Sequence, residues 1–130
     1  MLISDMVVLD LDWQGQKLTV IKETDQLLRR FGQMDMIKLN PKGRVEVFRS
    51  VADEIWAPML GRADFQLEDQ REESPSKGEI VQLEITADDP KAILVPFGVN
   101  CTIVSAEGAT LLRIGTHEES THPGDRFQIS

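Results

Sequence analysis

Residues 61–100 read GRADFQLEDQREESPSKGEIVQLEITADDPKAILVPFGVN. Two runs of alternating apolar and polar residues, ADFQLED and EIVQLEI, are followed by the apolar run AILVPFG. Turn-forming residues separate them: Pro75-Ser76-Lys77-Gly78 and then Asp88-Asp89-Pro90. Period-two alternation between such breakers is the pattern of β-strands with one face buried. The polar stretch 67–79, LEDQREESPSKGE, reads as a solvated connection between strands. At 94–103, LVPFGVNCTI, apolar residues enter and leave a Pro96-Phe97-Gly98 corner that also carries Asn100 and Cys101. This is the pattern of two buried strands joined by a tight turn, either a plain hairpin or the rim of a site.

Outward from this segment the same texture continues. VVLDLDW, KLTVIKE, MDMIKLN, RVEVFRS, EIWAPML, CTIVSA, ATLLRIG and DRFQI are short runs divided by Gln14-Gly15, Pro41-Lys42-Gly43, Gly61, Glu107-Gly108 and Pro123-Gly124. Regular spacing of this kind predicts an antiparallel sandwich or barrel. Pro58, two residues after Trp56, predicts an edge strand or a bulge there. TDQLLRRFG is the one helix candidate, with Thr24 or Asp25 as cap and Gly32 as terminator, and a loop is the alternative.

Composition narrows the function classes. A chain of 130 residues with 41% hydrophobic residues fits one compact domain. A net charge of −8 argues against nucleic acid and anionic membrane surfaces as partners, because the field repels polyanions. One cysteine precludes an internal disulfide, and with two histidines it precludes a four-ligand structural zinc site of the Cys₄ or Cys₂His₂ type. The start, MLISDMVVLDLDW, lacks a basic segment, and no apolar run reaches the roughly 18 residues of a membrane helix. A cytoplasmic location is expected.

Within residues 61–100, Asp69-x-Arg71 ends one strand, Ser74-Pro75 and Gly78 follow, and Val95-Pro96-Phe97-Gly98 closes the segment. Their order and spacing resemble the dTDP-4-dehydrorhamnose 3,5-epimerase family of cupins, with GATLLRIGTHE, residues 108–118, similar to that family's next strand. The resemblance implies an all-β fold, a cupin-type double-stranded β-helix or jelly roll, spanning residues 1–130 as a single domain. It also implies a conical pocket between the sheets and a homodimer. The family's reaction removes a proton beside a ketone and returns one to the other face. It uses a histidine base held by an aspartate, a cation such as lysine for the oxyanion, and commonly a tyrosine acid.

The expected chemistry is missing at three positions. No histidine precedes residue 61, and the chain has no tyrosine. Arg113 stands where the family has tyrosine, and Cys101 stands where the corner presents a histidine. The expectation is therefore a divergent member that binds a small carbohydrate-related ligand, a sugar or nucleotide sugar, without the usual epimerase chemistry. The alternative is an active nucleotide-sugar epimerase with a rebuilt site. In that case Arg113 would be the electrophile and His117, or a carboxylate, the base.

Other residues carry two readings each. Cys101, Asn100, Lys38, Met36 and Arg71 are candidate ligand-binding residues, with Met34, Met36 and Lys38 placed on the inner face of QMDMIKL. Cys101 is otherwise a small core hydrophobe, Met34 and Met36 plain core, and Arg71 a surface-paired cation. Arg113 either lines the cone or lies outward with its stem on the sheet. Trp13 and Trp56 either stack on a ligand or serve packing or a dimer interface. His117, Glu118, Glu119 and His122 fall in one eight-residue stretch and read as a solvated loop, so no metal and no cofactor is expected.

Overall fold

In the computed structural model, residues 3–48, 50–118 and 126–130 are described. Strands β1 (Val7–Asp10), β2 (Trp13–Gln14) and β3 (Lys17–Leu18) precede β4 (Gln33–Leu39), β5 (Gly43–Phe48) and β6 (Glu54–Glu68). They are followed by β7 (Ile80–Thr86), β8 (Lys91–Val95), β9 (Asn100–Ser105), β10 (Ala109–Gly115) and β11 (Arg126–Ile129). The pairing is antiparallel throughout and forms two facing layers, β1-β8-β6-β10-β4 and β7-β6-β9-β5-β11. This is the all-β jelly roll that the alternation and the resemblance predict.

Strand β6 belongs to both layers. The runs EIWAPML and ADFQLED, which read as separate strands, are one strand of 15 residues. Its first half pairs with β8 and β10, its second with β7 and β9. Where the two halves meet, the register against β10 shifts: Leu111 faces Pro58 and Thr110 faces Leu60. Pro58 has no N–H to give the ladder, so it stands at this bulge, as its position in the sequence predicts. Gly61 follows at φ +80°, where a Cβ would come within 2.6 Å of the Gly108 carbonyl oxygen.

The inner faces follow from alternation. Ala63, Phe65 and Leu67 of β6 are buried, while Asp64 and Gln66 are exposed. They pack with Val45 and Val47 of β5, Cys101 and Ile103 of β9, and Ile37, Leu39, Trp56, Ile93, Val95 and Leu111 from the facing layer. Each fully buried side chain of this size is worth about 1.5–3 kcal/mol. The outer face of the first layer buries a second cluster, Leu11, Ile55, Ala57, Ala92 and Ile114, under Leu18, Val20, Ile21, Leu27 and Leu28. The segment between β1 and β4 is therefore a cover. It needs only the β2–β3 hairpin and one 3₁₀ turn, Glu23–Asp25, whose Asp25 Oδ2 accepts the Lys22 N–H at 2.8 Å. The helix considered over 24–32 reduces to that turn, because burying its leucines against a sheet determines the path.

Two connections differ from expectation. The 94–103 corner is not a hairpin: β8 lies in one layer and β9 in the other, so Pro96–Val99 carries the chain between them. Gly98 takes φ +81° and donates its N–H to the Ser50 carbonyl at 2.8 Å, while the Phe97 N–H reaches Asp53 Oδ1 at 2.8 Å. The 67–79 connection is not simply solvated. Asp69 is fully buried and accepts from the Arg71 Nε at 2.9 Å, its Nη2 at 3.0 Å, and the Ser74 and Ser76 hydroxyls. Arg71 Nη2 also donates to the Ser4 carbonyl at 3.0 Å, and the Ser4 N–H reaches Ser76 Oγ at 2.8 Å. This knot ties the N-terminal segment to the β6–β7 connection. Among the described residues, no helix is long and apolar enough to cross a membrane.

The Arg71 guanidinium, aided by the two serine hydroxyls, holds the Asp69 carboxyl far below the usual carboxylate range despite its burial. A depressed folded-state pKa contributes stability that is complete above the unfolded value of about 3.9 and declines as the pH falls below it. Replacing Asp69 with Asn, which leaves Arg71 without its partner, is expected to cost about 3 kcal/mol in urea unfolding at pH 7. The variant should also lose part of the wild type's drop in stability between about pH 4 and 2.

Candidate functional site

On β10 the inward positions are Ala109, Leu111 and Arg113, each buried. Arg113 lies opposite Asp35 of β4 on one side and Trp56 of β6 on the other. Its guanidinium is thus delivered between two strands that carry carboxylates on the same inner face. Nε donates to Glu54 Oε2 at 2.8 Å, Nη2 donates to the same oxygen, and Nη1 donates to Asp35 Oδ2 at 3.1 Å. The Arg113 and Glu54 side chains are 2% and 1% exposed, whereas Asp35 is 31% exposed. Gly115 leaves room for the guanidinium, since a Cβ there would meet Arg113 Nη2 at 3.0 Å.

The surroundings complete the arrangement. Trp56 Nε1 donates to Glu54 Oε1 at 3.4 Å, and Gln33 Nε2 donates to both Asp35 oxygens at 3.1 Å. Phe127 of β11 stacks on Trp56 with ring centroids 6.1 Å apart and planes 17° apart. The Arg113 guanidinium carbon sits 5.0 Å from the Phe127 ring centre. One cation, two carboxylates and two aromatic rings therefore share the interior.

This set limits the chemistry. A guanidinium stays protonated in proteins and offers donors only, so Arg113 cannot act as the acid that tyrosine supplies in the resembling family. As an anion-binding group it already spends Nε, Nη1 and Nη2 on carboxylates. Cys101, on the inner face of β9 opposite Val47 and Leu67, is buried, and burial, with the Glu54 charge, pushes its thiol well up. Burial and the raised pKa both favour the neutral thiol, the less nucleophilic form.

The other expected residues lie apart from this cluster. Met34, Met36 and Lys38 are exposed and face outward, because Ile37 and Leu39 enter the core and set Gln33 and Asp35 on the inner face. The placement of Met36 and Lys38 at inner positions is thereby corrected. Asn100 is half-buried, alternates with Cys101 and pairs in register with Glu68. Arg71 belongs to the Asp69 knot. His117 lies two residues beyond β10, packed by its backbone on Gly32, with Nδ1 2.9 Å from Thr116 Oγ1. Glu119 and His122 lie outside the described residues. Glu54, Asp35, Gln33 and Phe127 went unread in the sequence. The available signal was that Glu54 shares the parity of Trp56 in an otherwise apolar run.

No protein-family model matches the chain. The spore coat polysaccharide biosynthesis protein SpsL of Bacillus subtilis (strain 168) is 32% identical over 90 residues, covering 68% of this chain and 59% of that protein. The chain thus spans less than two thirds of that relative's length. Among solved structures, a dTDP sugar isomerase from Desulfovibrio desulfuricans G20 superposes with a TM-score of 0.83 at 16% identity, over 97% of this chain and 85% of that one. A dTDP-4-dehydrorhamnose 3,5-epimerase from Sulfolobus tokodaii gives 0.80 at 20% identity, over 97% and 78%. The fold is the cupin jelly roll of these dTDP-sugar enzymes.

Removing one partner of a buried ion pair leaves the other charge desolvated, whereas replacing both with apolar groups removes the penalty. Arg113→Met alone is expected to lower stability by about 3–5 kcal/mol in urea unfolding, and Arg113→Met with Glu54→Leu to recover most of that loss.

Proposed function

We propose that this protein serves polysaccharide assembly by binding a carbohydrate-related ligand at the mouth of its jelly-roll cone, without the proton transfer of the dTDP-4-keto-sugar epimerases. The observation that carries this reading is the engagement of Arg113 by Glu54 and Asp35. Epimerisation beside a ketone needs a base, a free cation for the enolate oxygen and an acid on the opposite face. Here the interior cation is held by carboxylates, and the cysteine at the corner is a buried thiol. The name of the Bacillus subtilis relative supports a polysaccharide setting, and the fold relatives' names support a sugar-derived ligand. The free thiol of Cys101 and the acidic surface fit a cytoplasmic protein that engages neither nucleic acid nor anionic membrane.

A second reading rests on Asp35, which is part-exposed beside Arg113 and has the chemistry of a base next to an electrophile. Solvent deuterium incorporation into a dTDP-4-keto-6-deoxyhexose separates the two. No exchange above the protein-free rate is expected. Exchange that disappears in both Asp35→Asn and Arg113→Lys would instead establish the rebuilt epimerase.

A homodimer belongs to the same proposal. Met34 and Met36 of β4 and Leu60 of β6 are exposed on the outer face, Phe31, two residues before β4, is exposed as well, and Met36 adjoins half-buried Leu112. Exposed apolar surface of this kind is commonly covered by a partner, and methionines adapt to it. Light scattering is expected to give twice the chain mass for the wild type and the single-chain mass for Met36→Glu. A monomeric wild type would refute the dimer.

A further inference from the structure

Resting on the proposal that this protein serves polysaccharide assembly, we infer that a trough on the outer face of the second layer holds an uncharged glycan chain, at a surface separate from the cone mouth.

The trough follows from the sequence of β9. Alternation sends Cys101, Ile103 and Ser105 inward and leaves Thr102 and Val104 on the outer face. Register then sets longer side chains on both sides of them. Val104 lies between Asp64 of β6 and Arg44 of β5, and Thr102 lies between Gln66 of β6 and Glu46 of β5. One strand further, Glu84 and Gln82 of β7 continue the two rows. The two short β-branched side chains are half-buried, whereas Arg44, Asp64, Gln66, Gln82 and Glu84 are exposed. A floor with taller walls results, and it encloses about 470 Å³, a volume usual for a small-ligand site.

The walls are tied across the strands. Gln82 Nε2 donates to Gln66 Oε1 at 2.9 Å, and Arg62 Nε stands 3.5 Å from Glu84 Oε2. On the other side Arg44 Nε stands 3.6 Å from Glu46 Oε1. Beneath, Phe65 and Ile103 on the inner face of β6 and β9 belong to the core, so the trough rests on a packed sheet and is separated by it from the interior of the cone.

Chemistry selects the occupant. A sugar hydroxyl both donates and accepts, and the paired amides of Gln66 and Gln82 present a donor and an acceptor side by side, with carboxylates and guanidiniums beyond them. Val104 and the Thr102 methyl form a narrow apolar strip for the C–H face of a pyranose. A protein partner would centre on large apolar or aromatic side chains. Among the described residues, the exposed ones of that kind, Met36, Leu60 and Phe97 for example, lie outside the trough. A phosphate would be drawn to a cation clear of carboxylates, and Arg44 and Arg62 each have one alongside.

The test is amide NMR of the full chain, titrated with uncharged tetrasaccharides of glucose, galactose, mannose and N-acetylglucosamine and separately with dTDP. At least one tetrasaccharide is expected to shift the side-chain amide signals of Gln66 and Gln82 and the backbone signal of Thr102. Thr102→Lys, which fills the floor, and the double variant Gln66→Ala with Gln82→Ala are each expected to weaken that binding about tenfold, the effect of losing one or two hydrogen bonds. The double variant alters exposed side chains only and serves if Thr102→Lys misfolds. Signals of Gln33 and Asp35 report on the cone mouth in the same spectra. Shifts confined to Gln33 and Asp35, or binding unchanged in both variants, overturn the trough and leave the carbohydrate reading standing. Absence of shifts with every tetrasaccharide overturns both. Larger shifts at Gln66 and Gln82 with dTDP than with any tetrasaccharide overturn the uncharged class.

Discussion

The bulge in β6 decides which residues face the interior. Side-chain direction alternates strictly along a strand, so an inserted residue exchanges the two faces beyond it. Before the bulge the inward residues of β6 are Glu54, Trp56 and Pro58, and after it they are Ala63, Phe65 and Leu67. Without the irregularity between Pro58 and Leu60, a strand that buries Phe65 and Leu67 would turn Glu54 and Trp56 outward. Gly61 completes the device, because only a residue lacking Cβ fits against the Gly108 carbonyl at φ +80°. One strand thereby lines both layers and brings a carboxylate and an indole to Arg113.

That placement sets the electrostatics of the interior. In a medium of low polarity a guanidinium is retained only with partners of opposite charge at hydrogen-bonding distance, and Arg113 has Glu54 on one side and Asp35 on the other. The same carboxylates keep Arg113 from serving as a free anion receptor. Glu54 also adds to the burial that keeps Cys101 protonated. Cys101 and Arg113, which look independent in the sequence, are coupled through one buried carboxylate.

Much of the fold was legible because alternation is a local property: ADFQLED and EIVQLEI show their buried faces without reference to any neighbour. The Asp69-x-Arg71, Ser74-Pro75 and Val95-Pro96-Phe97-Gly98 spacing added the jelly roll. What stayed hidden depends on pairing between distant residues. The inner face of QMDMIKL hinges on whether Ile37 and Leu39 or Met36 and Lys38 meet the core, and only the register against β10 decides it. The role of Glu54 requires Arg113, which is 59 residues away. The polar run 67–79 looked solvated since nothing local reveals that Asp69 closes on Arg71, Ser74 and Ser76 while Ser4 arrives from the N-terminal segment.

The segment around Ser4 and strand β11 are fastened by different forces. Ser4 accepts from Arg71 Nη2 and donates its N–H to Ser76 Oγ, two side chains that themselves donate to the fully buried Asp69 carboxylate, and β1 pairs with β8. The C-terminal strand has four residue pairs at a sheet edge and one aromatic ring inserted over Trp56. Release of Ser4 would break its two hydrogen bonds and leave the Asp69–Arg71–Ser74–Ser76 set paired within itself, whereas release of β11 would break a ladder of four residue pairs and the stacking of Phe127 on Trp56.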